Sequence, residues 1–213
     1  MNLIVAAFRA LAKTTRLRMM RMVCTQGPLT VQQIAKALRL SKFAASRHLK
    51  LLANYHFVQA TPSGRYVKYS APAPGSTSNT FLMALQRLLV PLLSAEDVHR
   101  TLVQVCEPGD SPRGTWPEVF SALYRQFTAY THLRRVLILR HLSHTGAALP
   151  EQVASAIRMS PEAAQRHLDK LRRRGLVRSS AHKNGCCEIV KGEGSPVRQE
   201  LISIVLRSAQ PGT

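Results

Sequence analysis

The feature that most constrains this chain is that it repeats itself. Ser46-Arg47-His48-Leu49 recurs as Gln165-Arg166-His167-Leu168, an offset of 119 residues (165 − 46). The same offset pairs Phe8 with Phe127, Arg16 with Arg135, Arg21 with Arg140 and Gly27 with Gly146. It also pairs Ile34-Ala35 with Val153-Ala154, Leu38 with Ile157, Ser41 with Ser160, Leu52 with Leu171 and Val58 with Val177. Self-similarity held in one register for so long predicts one structural unit built twice. Further on, Phe81-Leu82 matches Leu201-Ile202 at an offset of 120, so one residue has been inserted. The insertion falls between Gly64 and Gly185, where a turn is predicted, and turns tolerate insertions.

Each unit reads the same way. A first helix contains Phe8 or Phe127. A second runs from Thr15 to about Cys24, or from about His132 to Ser143. A short third helix carries Ile34 and Leu38, or Val153 and Ile157, and is entered after Thr30 or Pro150. Ser41 and Ser160 are suited to cap a fourth helix, with Pro161 in its first turn. Ala45, Leu49 and Leu52 then share one face at helical spacing, as do Ala164, Leu168 and Leu171. Period-two alternation follows. Phe57–Thr61 is predicted to pair with Tyr66–Ser70 across Pro62-Ser63-Gly64-Arg65. Leu176–Ser180 is predicted to pair with Cys186–Val190 across His182-Lys183-Asn184-Gly185, where Asn-Gly is a strong hairpin signal. Apolar helices Phe81–Leu93 and Val197–Ser208 close the two units. The predicted fold is mainly α with two small β-hairpins. Its parts are a first domain over 1–93, a connecting helix (Ser94–Glu107) and breaker-rich linker (Pro108–Thr115) over 94–115, and a second domain over 116–213.

Charge narrows the partner. The 213 residues hold 30 Lys and Arg against 11 Asp and Glu, a formal net charge of +19. No Asp or Glu precedes Glu96, although that stretch carries thirteen Lys and Arg. Such self-repulsion is relieved by a polyanion, and nucleic acid or an anionic membrane surface would serve. The most apolar run, Phe81–Leu93, includes Gln86, Arg87 and Pro91 and is too short to span a bilayer. No signal peptide is visible, and Cys24, Cys106, Cys186 and Cys187 show no disulfide or C-x-x-C spacing, so a cytoplasmic protein is expected.

The first unit resembles the arsenic-repressor (ArsR-like) winged helix-turn-helix family. The resemblance rests on Ala10-Leu11-Ala12-Lys13-Thr14-Thr15-Arg16-Leu17-Arg18, Gly27-Pro28-Leu29-Thr30, Ile34-Ala35 and Leu40-Ser41. It continues through Ser46-Arg47-His48-Leu49-Lys50-Leu51-Leu52 and Gly64-Arg65-Tyr66-Val67-Lys68-Tyr69. It implies a DNA-binding repressor whose fourth helix enters the major groove, usually a homodimer joined through first and last helices. Two departures stand out. Two units share one chain, so the pairing is either an intrachain pseudo-dimer or a homodimer. The metal-sensing signatures are also missing: neither third helix has Cys-x-Cys, and Asp97-Val98-His99 lacks its downstream His. No cofactor or metal is expected.

With Ala45, Leu49 and Leu52 turned inward, Lys42, Phe43, Ser46, Arg47 and Lys50 form the outward set. Arg47 suits bidentate contact with guanine, Ser46 a base or phosphate, and Phe43 a thymine methyl. Lys42 and Lys50 suit phosphates. Arg65 and Lys68 on the wing suit the minor groove or phosphate. In the second unit Arg166, Arg172, Arg173, Arg174 and Lys183 supply charge, but Glu162 and Asp169 replace Phe43 and Lys50. That substitution predicts weaker DNA binding there, or a contribution mostly to dimerisation.

The remaining polar residues suggest less. His48 and His167 sit beside the core stripe and read as hydrogen-bonded structural histidines. Cys24 and Cys106 read as small core residues. Cys186 and Cys187 should point to opposite sides of a strand. A metal would have to use these with His141, His144 and His182, whose spacing matches no ligand pattern. No catalytic motif or acid–base pair is evident, so an enzyme is not expected. Sequence-specific binding of double-stranded DNA is the leading reading. A general nucleic-acid architectural or RNA-binding role, and a protein-interaction scaffold, are the alternatives.

Overall fold

The computed structural model describes residues 2–208. Its elements in chain order begin with α1 (Asn2–Leu11), α2 (Thr14–Gln26), β1 (Leu29–Thr30), α3 (Val31–Leu38), α4 (Lys42–Asn54), β2 (Gln59–Ser63), β3 (Tyr66–Ser70), α5 (Thr80–Ser94) and α6 (Val98–Val105). They continue with α7 (Trp116–Phe127), α8 (Leu133–Thr145), β4 (Ala147–Ala148), α9 (Pro150–Ile157), α10 (Pro161–Arg173), β5 (Val177–Ser179), β6 (Cys187–Ile189) and α11 (Pro196–Ser208). The helices α2, α3 and α4 share their bounds with α8, α9 and α10 at the 119-residue offset. The two antiparallel sheets, β1-β3-β2 and β4-β6-β5, also have the same strand order.

Local chemistry explains the shared bounds. Thr30 starts α3 through a reciprocal pair: its Oγ1 accepts from the Gln33 N–H, and Gln33 Oε1 accepts from the Thr30 N–H. Pro150 does not precede α9 as expected but is its first residue, where the missing N–H costs nothing. Both helices end on an arginine in the left-handed region, Arg39 at φ 54° and Arg158 at φ 53°. These tight ends let the Leu40 N–H reach the Ala35 carbonyl, and the Met159 N–H the Ala154 carbonyl. The chain then turns straight into α4 or α10. Ser41 Oγ accepts from the Ala44 N–H at 3.1 Å and Ser160 Oγ from the Ala163 N–H at 3.3 Å, the two expected caps.

Three expectations need correction. The first hairpin is tighter than predicted. Ser63 pairs with Tyr66, so the turn is Gly64-Arg65 alone, and Pro62 lies within β2 opposite Val67. Proline is tolerated there because β2 is an edge strand. The connecting helix is short, because α5 continues to Ser94 and Asp97 starts α6 by accepting from the His99 and Arg100 N–H groups. Cys24 and Cys106 are half-buried rather than core residues, whereas Cys187 points inward and Cys186 is half-buried, as alternation requires.

One continuous apolar core runs through both halves. Ala45, Leu49, Leu52, Ala164, Leu168 and Leu171 are fully buried, so the inward stripes are as expected. The terminal helix α5 packs against α11, and α1 against α7. This buries Leu85 and Leu89 against the helix that carries Leu201 and Val205. Phe8 lies at the centre of the join, its ring 6.0 Å from Phe81, 5.8 Å from Phe127 and 4.7 Å from Tyr130. Arg21 donates to the Leu93 and Ala95 carbonyls and stacks on Trp116 at 3.2 Å, tying the start of α7 to α2. Among the described residues no helix is long and apolar enough to cross a membrane.

Candidate nucleic-acid interface

The α3–turn–α4 unit sets the geometry of the first face. Its buried stripe fixes the rotation of α4, and so fixes which side chains leave the protein. Lys42, Phe43, Arg47 and Lys50 are exposed and Ser46 is half-buried. Phe43 is 77% exposed, a large apolar ring held in solvent beside three cations. The adjoining hairpin carries Arg65 in its two-residue turn and Lys68 on β3, both exposed. Gly64 takes φ 58°, the left-handed conformation such a turn requires. Lys68 lies opposite Thr61 on β2 and Thr30 on β1, so the sheet links the wing to the start of α3.

Sequence reasoning missed two features of this face. Tyr66 and Val67 on β3 are exposed, at 62% and 41%, and add apolar surface beside Arg65. Lys13 lies 3.2 Å from His48 Nε2, placing one more cation at the flank of α4. No period could have revealed that pairing, because the partners are 35 residues apart. Burial, then the charges of Lys13, Arg16 and Arg47, hold the His48 pKa below its ordinary value. Arg16 is not on the surface. It is buried and donates to the Ala10 and Arg9 carbonyls at the end of α1.

Electrostatics separate the two halves. Every ion pair among the described residues lies at or beyond Glu107. The cations of α4 and its wing therefore have no anionic partner within the described protein.

The second half differs. Arg166 and Lys183 are exposed, as expected. Arg172 is turned inward instead, to Asp169 at 2.9 Å and to Cys187 Sγ at 2.8 Å, and does not join them. The expected cost of Glu162 and Asp169 facing phosphate is also altered. Hydrogen bonds from its own backbone N–H and from Ser160 hold the Glu162 carboxyl below the usual carboxylate range. It serves the positive end of α10. Asp169 accepts from Gln165 at 2.7 Å as well as from Arg172. On the hairpin, Arg178 is held by Glu188 at 2.9 Å and Glu193 at 2.5 Å.

Among the described residues the His167 ring has no hydrogen bond, contrary to expectation. Its ring lies against His132, centroids 4.5 Å apart and planes tilted by 43°, where the first half places Lys13 against His48. Among the described residues no group of three or more His, Cys, Asp or Glu is placed to hold a metal ion. Asp97, the residue of the partial metal signature, is occupied in capping α6.

No curated protein and no solved structure gives a match to this chain. A family comparison does give one, over the segment that contains α2, α3 and α4. Residues 13–60 match the family described as bacterial regulatory protein, arsR family, and form an arsR-family helix-turn-helix domain.

Proposed function

We propose that this chain is a sequence-specific, double-stranded-DNA-binding transcriptional regulator. Its α4 lies in the major groove and its β2–β3 wing on the minor groove or phosphates. The observation that carries this reading is the unneutralised face. Lys42, Arg47, Lys50, Arg65 and Lys68 are exposed around one helix and one hairpin, and no carboxylate occurs in the first 95 residues to pair with them. DNA phosphates supply the missing charge, and the end of α4 supplies side chains able to read base edges. Repression is the mode that the resemblance implies.

In this reading the chain holds two tandem winged units that act as an intrachain pseudo-dimer. The shared helix bounds, the common strand order and the α5–α11 packing support it. Both fourth helices would lie on one face, about one helical turn of DNA apart, roughly 34 Å. The second unit is the weaker reader, because Glu162, Asp169, Glu188 and Glu193 already occupy its charged surface.

Selection of random duplexes by the purified protein tests the proposal. Enrichment of one defined motif is expected. Tight, salt-sensitive binding without enrichment would point to the architectural role, and preference for RNA to that alternative. No binding to either nucleic acid would leave only the scaffold reading.

A further inference from the structure

The second half contains a cleft that the DNA-binding reading does not use. It has a volume of about 750 Å³ and opens between the ends of α6 and α7, the C-terminus of α10 and the start of α11. Five arginines line it, with two glutamates, Glu107 and Glu193, giving an excess of positive charge. The arginines are not equally committed. Arg125 pairs with Asp110 and Arg172 with Asp169. Arg174 has no side-chain hydrogen bond or ion pair among the described residues, and Arg173 makes only a 3.4 Å contact to a backbone carbonyl.

The cleft is a built site in three further respects. Arg198 is only 12% exposed at its side chain, and it crosses positions where any Cβ would collide with it. Those positions are Gly175 and Gly194, both at positive φ, so the backbone is shaped around this guanidinium. Gln126 in the wall is 9% exposed, and its Nε2 donates to the Val105 carbonyl and Ser195 Oγ, which fixes the start of α11 against α6 and α7. Glu107, finally, already occupies an anion's place. Its carboxylate takes the Ser195 N–H at 3.2 Å, the Ser195 hydroxyl at 3.2 Å and Arg198 at 3.1 Å, at the start of α11.

The first half has nothing comparable at the matching positions. Ala53, Asn54 and Tyr55 stand where the second half has Arg172, Arg173 and Arg174, and Ala6 and Ala7 where it has Arg125 and Gln126. The charge is therefore not a by-product of the repeated fold.

We propose that this cleft binds a small multivalent organic or inorganic anion, with Arg173, Arg174 and Arg198 as its cationic contacts and Glu107 as the internal group it competes with. Arginine forks suit phosphate and carboxylate equally, and the volume admits a compact metabolite-sized anion. The site stands whether or not α10 touches DNA.

Calorimetric titration of the full chain with pyrophosphate and with citrate, at ionic strength fixed by sodium chloride, tests it. Saturable one-to-one binding of at least one probe is expected, and the stronger probe distinguishes phosphate from carboxylate ligands. The variant Arg173→Gln/Arg174→Gln should bind that probe at least about tenfold more weakly. The variant Glu107→Gln should bind it more tightly, because a competing like charge is gone. Thermal melts establish that each variant folds, and either variant alone carries the test if the other does not. No saturable binding of either probe would overturn the proposal. So would binding that both variants leave unchanged. Loss of DNA affinity in the double variant, with no anion binding in the native chain, would assign these arginines to DNA instead.

Discussion

Phe8 and Phe127, which the 119-residue sequence offset pairs, lie with ring centroids 5.8 Å apart in the middle of one core. Both are fully buried. The halves therefore share their interior, and α5 and α11 cover each other within a single chain. Phe8→Ala should cost about 3–5 kcal/mol, the range for truncating a buried aromatic ring. It should also unfold both halves in one urea transition. A second, unaffected transition would mean that the halves fold separately.

The same packing sets the expected oligomeric state. The full chain should sediment as a monomer at micromolar concentration. A fragment of residues 1–95 exposes Phe81, Leu85 and Leu89 and should self-associate. An obligate dimer of the full chain would contradict intrachain pairing.

Acid should destabilise the protein in a defined way. Burial first, then neighbouring cations, lowers the pKa of His48, His132 and His167 from the ordinary value of about 6.5. For His132 and His167, whose ring centroids lie 4.5 Å apart, the cations include Arg134 and Arg135. The folded state thus keeps these rings neutral while the unfolded chain takes up protons. Their contribution is fully present above about pH 6.5 and is lost as pH falls through the lowered folded values. Denaturation midpoints measured from pH 8 to pH 5 should fall below about 6.5, and His167→Gln should flatten that fall. An unchanged pH dependence would remove the histidine pair as its source.

The two halves should respond unequally to charge removal. Arg47→Ala/Lys50→Ala should abolish DNA binding, and Arg166→Ala should reduce it less. Arg172→Ala should act on stability, because Arg172 holds Asp169 and Cys187. Titration of each variant against one duplex at fixed salt, beside its thermal melt, orders them. A larger affinity loss from Arg166→Ala would reverse the assignment of the stronger reader.

Much of the fold and of the candidate site is legible in the sequence, for physical reasons. Apolar spacing placed Ala45, Leu49 and Leu52 inward, and that alone determined which residues of α4 face solvent. Ser41 and Ser160 were readable as caps because capping depends on a short local sequence. The failures are non-local. The inward turn of Arg172 depends on Cys187, fifteen residues away on another element. The two-residue strands β1 and β4 are too short to show a period, and they form only because β3 and β6 offer free edges. Pro62 suggested a turn because proline usually marks one, but an edge strand accepts it. The arginine-lined cleft was invisible for the same reason, since its walls come from four separate helices.

Whether α4 reads DNA is tested most directly by comparing Arg47 with Lys50. Binding of Arg47→Ala and Lys50→Ala is measured by fluorescence anisotropy on the selected duplex and on single-base variants of it, across a salt series. Arg47→Ala should cost about 1–3 kcal/mol and erase the preference at one base position. Lys50→Ala should weaken all duplexes about equally and reduce the salt slope by about one unit. If Arg47→Ala leaves the ranking of duplexes unchanged, and neither variant alters the salt slope, then α4 does not lie in the groove.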